Sequence, residues 1–305
     1  MPTVLSNTAL KGANNAFHMR FSAMPTIWQN HAMQITAATQ TEPLVFPGFI
    51  PSPRQFLDGR SIQGIRDFRY NVDIQEFELS LLIARTTIED DQTGTIMARM
   101  RDLAEVWATY KDYLFVQLLI NGATAGSNGF DGATFYGSSR TIGSSGTIDN
   151  TSAGAYATAG FPTGTETLLA IQKATAVMDV FNNDQGQPFN VASRTRKRMV
   201  VPPAHDRGVA EAIGSTIIGN SDNPWGRGIV EYDSTPYLTA TSKSYLNYVG
   251  SERKPFIYME RTPLELVFFN DEQSIAEKNG LLVLTRQRFV MTYGDPRMSN
   301  EITWV

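Results

Sequence analysis

Seven apolar residues, Ile96, Met100, Leu103, Trp107, Tyr110, Leu114 and Leu118, step along the chain by three or four positions. That spacing predicts one helix of about seven turns with a continuous apolar stripe, long enough to span a domain and organise a sheet against itself. Glu89, Asp90 and Asp91 lie just ahead of it, where carboxylates are favoured by the positive end of the helix dipole. Gly122 is placed to end it. The acidic triplet has a second reading, as a cation site or a general acid and base. Its spacing is not that of a calcium loop, which alternates ligands and needs Gly at its sixth position.

The rest of the chain is read outward from this helix. Residues 1–45 carry only three ionised side chains, Lys11, Arg20 and Glu42, and show no apolar period. Such a segment cannot bury enough of itself to fold alone, so it is expected to be an arm that orders against neighbours. Phe46-Pro47-Gly48-Phe49-Ile50-Pro51 punctuates the next stretch. Tyr70–Gln75 and Phe77–Ile83 then alternate apolar and polar residues, which predicts two strands of one extended excursion. Of residues 121–160, 28 of the 40 are Gly, Ala, Ser or Thr. That is too long for an ordinary connection and is expected to be a flexible loop, a hairpin extension or an intersubunit decoration. Phe130, Phe135 and Tyr136 are candidates to anchor its start.

An α/β lobe is expected over 164–238. A helix opens at Gly164, a buried strand runs Arg198–Val201, a helix spans Asp206–Ile217 and a strand spans Gly228–Tyr232. Strand candidates at 255–260, 264–269, 281–284, 288–293 and 302–305 make the end β-rich. The fold class is therefore α+β.

Chemistry is hard to find. There is no cysteine, which excludes disulfides and thiolate chemistry and fits a reducing compartment. The three histidines, His18, His31 and His205, form no metal-binding pair at helical spacing. Gly-x-Ser-x-Gly, the phosphate-cradling Gly-x-x-x-x-Gly-Lys-Ser/Thr loop and Gly-x-Gly-x-x-Gly are all missing. No cofactor or metal is expected, and the chain is not expected to be an enzyme. No apolar run reaches the roughly 18 residues of a membrane helix, and Met1–Ala13 lacks the layout of a secretion signal. Charged residues make up 18% of the chain against about 25% in an average domain. The deficit suits large surfaces buried against other subunits, since charge is depleted at interface cores. Arg194, Arg196, Lys197 and Arg198 form the one basic run, read as a solvated turn or a contact with a neighbour's carboxylates, with packaged nucleic acid as the other possible partner. Trp225 sits in the turn Asn223-Pro224-Trp225-Gly226 and is a candidate subunit contact, as are Arg253 and Lys254.

Taken together, the segments resemble the Mu-like phage major head subunit family. Phe46-Pro47-Gly48 followed by Phe56-Leu57-Asp58-Gly59-Arg60-Ser61-Ile62 is similar to that family's opening segment. Tyr70-Asn71-Val72 to Phe77-Glu78-Leu79, then Ile88 to Gly94, is similar to its strand pair leading into the long helix. Phe130-Asp131-Gly132-Ala133-Thr134-Phe135-Tyr136, Met199 to Pro203, Asn223-Pro224-Trp225 and Thr235-Pro236-Tyr237-Leu238 continue the likeness in order. Thr86-Thr87 and the long bland stretch after Tyr136 depart from it.

The resemblance implies a Hong Kong 97-type capsid fold. Its parts would be an N-terminal arm (1–45), an extended β-hairpin loop (46–92), a spine helix of the peripheral domain (93–121), a Gly/Ser-rich loop or insertion (122–163), an axial domain (164–250) and strands completing the peripheral domain (251–305). It implies a major capsid protein of a tailed double-stranded DNA phage that self-assembles into pentamers and hexamers of an icosahedral head. Assembly in the host cytoplasm and residence in the virion follow. Expected partners are other copies of the chain, a separate scaffold and protease, a portal, decoration proteins, and packaged DNA held without sequence specificity; no membrane is involved. The intersubunit candidates are Phe49, Arg60, Tyr70, Phe77, Arg194, Arg196, Lys197, Arg198, Trp225, Arg253 and Lys254. A nanocompartment shell of the same fold, another virion part such as a tail tube or decoration protein, and an enzyme built on Glu89–Asp91 are the alternatives.

Overall fold

The computed structural model describes residues 7–48, 67–90, 94–188, 196–218, 221–223, 230–269 and 278–305. In chain order the elements are α1 (Asn7–Ala23), α2 (Trp28–His31), β1 (Ala32–Thr36), β2 (Thr41–Pro47), β3 (Asp67–Asp73), β4 (Gln75–Ala84), α3 (Arg85–Glu89), α4 (Thr95–Asn121), β5 (Arg140–Thr141), β6 (Thr147–Ile148) and β7 (Thr151–Gly154). The second half adds α5 (Gly164–Asp179), β8 (Lys197–Val201), α6 (Asp206–Gly214), β9 (Ile217–Ile218), β10 (Ser221–Asp222), β11 (Val230–Ser234), β12 (Lys243–Tyr248), β13 (Phe256–Phe269), β14 (Gly280–Tyr293) and β15 (Ser299–Trp304).

The predicted long helix is α4, and it crosses the inner face of a four-stranded sheet ordered β1-β13-β14-β4. Ile96, Met100, Leu103 and Trp107 are buried as the stripe predicts. Beyond Trp107 the buried row moves to Lys111, Asp112, Phe115, Val116 and Leu119, while Tyr110 is exposed. The cause is the segment around α2 together with β13: Ile27 and Trp28 meet Asp112, Tyr258 meets Lys111, and His31 and Phe256 meet Phe115. α1 packs along α4 as well and buries Ala13 and Phe17 completely. Residues 7–23 are thus a helix docked on their own subunit. The arm expected over 1–45 is folded back through 7–47, with β1 lying parallel to β13. Marginal apolarity becomes enough for a helix when α4 supplies the partner surface.

β3 and β4 do not form one excursion. β3 pairs back with β2, Thr41 opposite Asp73 and Pro47 opposite Asp67, whereas β4 pairs with β14 in the other sheet. The paired arms β2 and β3 flank residues 49–66, so the strand that completes the hairpin lies in what was read as the arm. β13 is continuous through the gap expected between 260 and 264. Its register slips at Thr262 to Glu265, around Pro263, which has no N–H to give the ladder. β14 is likewise one strand, because Thr285 and Gln287 point inward and are hydrogen-bonded rather than turning the chain.

The five-stranded sheet has the order β11-β8-β12-β15-β7 and packs against α5 and α6. Thr163 and Glu166 close α5's N-terminus reciprocally, a capping box that the Thr-x-x-Glu spacing spells. α6 ends at Gly214, short of the Ile217 expected. Two findings revise the boundaries read from sequence. β15 belongs to this sheet, between β12 and β7, and not with the strands of the other sheet. Residues 121–160 are built into the subunit: Phe130, Phe135 and Tyr136 are buried, and β7 forms an edge of the sheet. Asn150 clamps this stretch, accepting from Gly137 N at 2.9 Å and donating to the Phe135 and Pro296 carbonyls at 2.8 and 3.0 Å.

Candidate functional site

Four of the contact candidates, Phe49, Arg60, Arg194 and Trp225, lie outside the described residues. Four others are engaged inside the subunit. Phe77 stacks on Phe289 and meets Tyr110 edge-on, with ring centroids 4.6 and 5.6 Å away. Tyr70 Oη donates to the Tyr293 carbonyl at 2.6 Å, and burial pushes its pKa to about 12. Arg198 makes a bidentate pair with Asp233 at 2.5 and 2.8 Å and reaches Glu231 at 2.7 Å. Lys197 is 2% exposed and bonds Asp179 Oδ1 at 2.8 Å. A solvated basic run is therefore the wrong description of residues 197 and 198. Arg196, just ahead of β8, stands out in solvent 3.8 Å from Glu231. Within β8 successive side chains face opposite sides, so Lys197 and Arg198 find different partners on the two faces. Lys254 Nζ donates to the Gln29 carbonyl at 2.7 Å, and Arg253 lines a small crevice with Phe46 and Phe68 at the hairpin's base.

Lys197→Ala is expected to cost about 2–4 kcal/mol, from lost stem packing together with the broken pair, and Lys197→Met, which keeps the stem, about 1 kcal/mol. Urea titrations of unassembled subunits separate the two, and equal costs would mean that the stem packs against nothing of consequence.

Three buried groups tie the N-terminal segment to the body. Asp112 Oδ1 accepts from the Ile27 and Trp28 N–H groups at 2.8 and 3.0 Å. Burial raises its pKa to about 6, and these bonds oppose the rise. His31 is fully buried; Asn247 Nδ2 donates to its Nδ1 at 3.0 Å, so its Nε2–H is the group that meets Asp233 Oδ2 at 3.0 Å. Burial lowers the pKa of His31, against the pull of Asp233. Lys111 lies within 5.1–5.7 Å of the ring centroids of Phe21, Trp28, Tyr258 and Phe289. The sequence hid this face of α4 because two of its members are charged.

Among the described residues no group of His, Asp and Glu is placed to hold a metal ion, and the first turn of α4 contains no acidic residue. Nor is any described helix long and apolar enough to cross a membrane. What the subunit does present is apolar surface. Leu82, Val267 and Phe269 are 45%, 47% and 38% exposed. With Leu282 and Leu284 they share the outer face at one end of β4-β14-β13, since Phe269, Leu282 and Leu82 are opposite one another in register. A second row, Val106, Tyr110 and Tyr113, runs exposed along α4.

A long helix on a four-stranded sheet, a five-stranded lobe, the paired strands β2 and β3 and uncovered apolar faces define a structural subunit of the Hong Kong 97 capsid type. Solved structures share the fold. The bacteriophage PhiM1 mature capsid is similar at TM-score 0.60 and 9% identity, over 92% of this chain and 88% of that one. The procapsid of bacteriophage JBD30 is similar at 0.55 and 17%, over 98% and 76%. The virus-like particle from Pyrococcus furiosus is similar at 0.53 and 10%, over 96% and 98%. Among curated proteins none matches the chain. The family model of the Mu-like prophage major head subunit gpT matches residues 7–163, and the chain belongs to that family. It is a major capsid protein of a tailed phage.

Proposed function

We propose that the subunit assembles with copies of itself into pentamers and hexamers of an icosahedral head, in the host cytoplasm, around a space later filled by double-stranded DNA. The observation that carries this reading is the family match on a chain whose monomer leaves Leu82, Val267 and Phe269 in solvent. Apolar residues grouped on one face mark an association surface. Phe49, Arg60, Arg194, Arg196, Trp225 and Arg253 are the proposed contacts that remain after those engaged internally are set aside. A scaffold and protease, a portal and decoration proteins are the further partners of the reading. With net charge −4, the wall is expected to hold DNA by enclosure and not by phosphate neutralisation.

Electron microscopy of the purified protein tests it. Closed shells, hexamer sheets or rings are expected; a stable monomer at high concentration overturns the proposal. A variant tests the hairpin. Phe130 stacks on Phe46 at 4.8 Å and packs on Phe68 at 5.1 Å, which fixes the base of β2 and β3 on the body. Phe130→Ala is expected to leave a folded subunit but to lower the yield of closed shells by about tenfold or more, since each misdirected contact worth about 1.4 kcal/mol weakens association tenfold. Unchanged shell yield would remove the hairpin base from assembly.

A further inference from the structure

Five side chains form one continuous hydrogen-bonded line through the subunit. Tyr136 Oη lies 2.7 Å from Ser299 Oγ, Ser299 Oγ 2.6 Å from Asn247 Oδ1, Asn247 Nδ2 3.0 Å from His31 Nδ1, and His31 Nε2 3.0 Å from Asp233 Oδ2. His31, Asn247 and Ser299 are 0% exposed and Tyr136 is 3% exposed, so bulk solvent completes none of these bonds. The line joins α2, β11, β12, the head of β15 and the 121–160 stretch.

Its direction is fixed from one end. A carboxylate only accepts, so the His31 nitrogen that faces Asp233 carries the proton. Nδ1 of the neutral ring is then bare and needs a donor, which turns the Asn247 amide so that Nδ2 meets it. Asn247 Oδ1 consequently faces Ser299 and accepts its one hydroxyl hydrogen. Ser299 has no second hydrogen to give, so Tyr136 Oη donates to it. Each bond therefore points from Tyr136 toward Asp233.

A second proton on His31 goes to Nδ1 and confronts the Asn247 NH₂. The amide must turn over to present Oδ1, and Ser299 must then accept from Nδ2 and donate to Tyr136. The phenol hydrogen is left without an acceptor, because among the described residues Ser299 Oγ is the one hydrogen-bond partner of Tyr136 Oη. A buried donor with nothing to bond destabilises a packed core. Of the charges that face the ring, Asp233 on β11 favours the imidazolium, while Arg198 on β8 and Lys254 ahead of β13 oppose it. Asp233 is already held by Arg198 at two points. α4 brings the uncharged Phe115 ring, its centroid 5.1 Å away, and the Asp112 carboxylate, which is bonded to the Ile27 and Trp28 N–H groups. α2 and β1 carry no other ionisable side chain.

We propose that this one-way line makes His31 a proton-gated clasp: a second proton on its ring reverses every bond from Asn247 to Tyr136 and frees the segment around α2 from the five-stranded lobe. His31 is the residue by which α2 bonds to β11 and β12. At the other end, the Tyr136 ring closes on Gly122 at the end of α4, so tightly that a Cβ there would come within 2.5 Å. One titration thus acts on both the N-terminal segment and the 121–160 stretch.

Nuclear magnetic resonance of the full-length protein with labelled histidine, as unassembled subunits titrated from about pH 7.5 to about pH 4, tests this beside hydrogen exchange of the same samples. Near neutral pH His31 is expected as the Nε2–H tautomer. Ser299→Ala removes the hydroxyl that holds Asn247 Oδ1 away from His31. It is expected to raise the His31 midpoint by about one pH unit, although that hydroxyl bonds Asn247 and Tyr136 and not the ring. Ser299→Cys, a weaker donor of similar size, is expected to raise it by less and serves if Ser299→Ala does not fold. Exchange protection of residues 27–36 is expected to fall at the His31 midpoint in each protein while α5 stays protected. A ring protonated on Nδ1 near neutral pH, a ring that stays neutral down to about pH 4, or a midpoint unmoved in the folded variants overturns the proposal. So does protection of residues 27–36 that does not follow the midpoint, or loss of α5 protection with it, which would make the release global unfolding.

Discussion

Trp107→Ala is expected to destabilise the unassembled subunit by about 3–5 kcal/mol, the range for emptying a buried aromatic site. Trp107 lies at the centre of the α4–sheet contact and is 3% exposed. Its Nε1–H donates to Thr285 Oγ1 at 2.7 Å, and Thr285 in turn donates to the Leu79 carbonyl at 2.8 Å. One side chain therefore joins α4 to β14 and, through Thr285, to β4. The substitution removes the ring's dispersion contacts and leaves a cavity between a helix and a sheet that cannot close without moving several strands. Trp107→Phe retains most of the apolar contact and loses the hydrogen bond, so it is expected to cost about 1–2 kcal/mol. Urea unfolding followed by far-ultraviolet circular dichroism checks both values. A loss below about 1 kcal/mol for Trp107→Ala would mean that α4 is held by its flanks and not by its centre.

The same helix shows how far the sequence could be read. Its existence and bounds were legible because an apolar residue every three or four positions has no other regular explanation; the helix runs Thr95–Asn121. The direction of its buried face was legible only as far as Trp107. Past that point a pattern that counts only apolar side chains selects Tyr110, Leu114 and Leu118. The structure leaves Tyr110 exposed, half-buries Leu114 and Leu118 against the core, and buries Lys111 and Asp112 more deeply, because each of the two has a partner contributed by a distant segment. Burial of a charge depends on partners that no local window contains. The same reason explains Lys197, whose neighbours in sequence are exposed or half-exposed while its own ammonium is paired with Asp179.

Pairing of strands was the less legible part of the fold. Period two identified β3 and β4, yet their partners are β2, across residues 49–66, and β14, some 200 positions on. Alternation records which face a residue takes and carries no information on which strand lies beside it. Residues 121–160 are hard to read for a different reason. Small side chains suggest freedom, but they also allow close approach: a Cβ on Gly154 would come within 2.7 Å of the Trp304 ring. Of the surfaces, the row Leu82, Val267 and Phe269 was present in the alternation of β4 and β13. Which of the two alternating sets α4 would cover could be decided only once the sheet order was known.

Acid is expected to loosen the subunit through its buried histidines, and the effect should be separable from that of Asp112 by sign. His205 is fully buried between Ser244, 3.0 Å from its Nδ1, and the Trp304 ring, and burial lowers its pKa from 6.5 to about 4. The unfolded chain binds this proton first as pH falls. The stability it contributes is complete above about 6.5 and declines toward pH 4, by about 3 kcal/mol in all. His31, also held neutral by burial, acts in the same direction. Asp112 acts oppositely. Its pKa is raised to about 6 in the folded subunit, so the folded state binds that proton first and gains stability as pH falls from about 6 toward 4. Wild-type stability thus changes less between pH 7 and 4 than either group alone would dictate. His205→Gln is expected to remove about 3 kcal/mol of the acid loss, flattening the decline or reversing it, whereas Asp112→Asn removes the compensating gain and steepens it. Urea midpoints of unassembled subunits at pH 7, 5.5 and 4 read all three proteins. If His205→Gln and Asp112→Asn shift the pH dependence in the same direction, burial does not set the protonation of at least one of them.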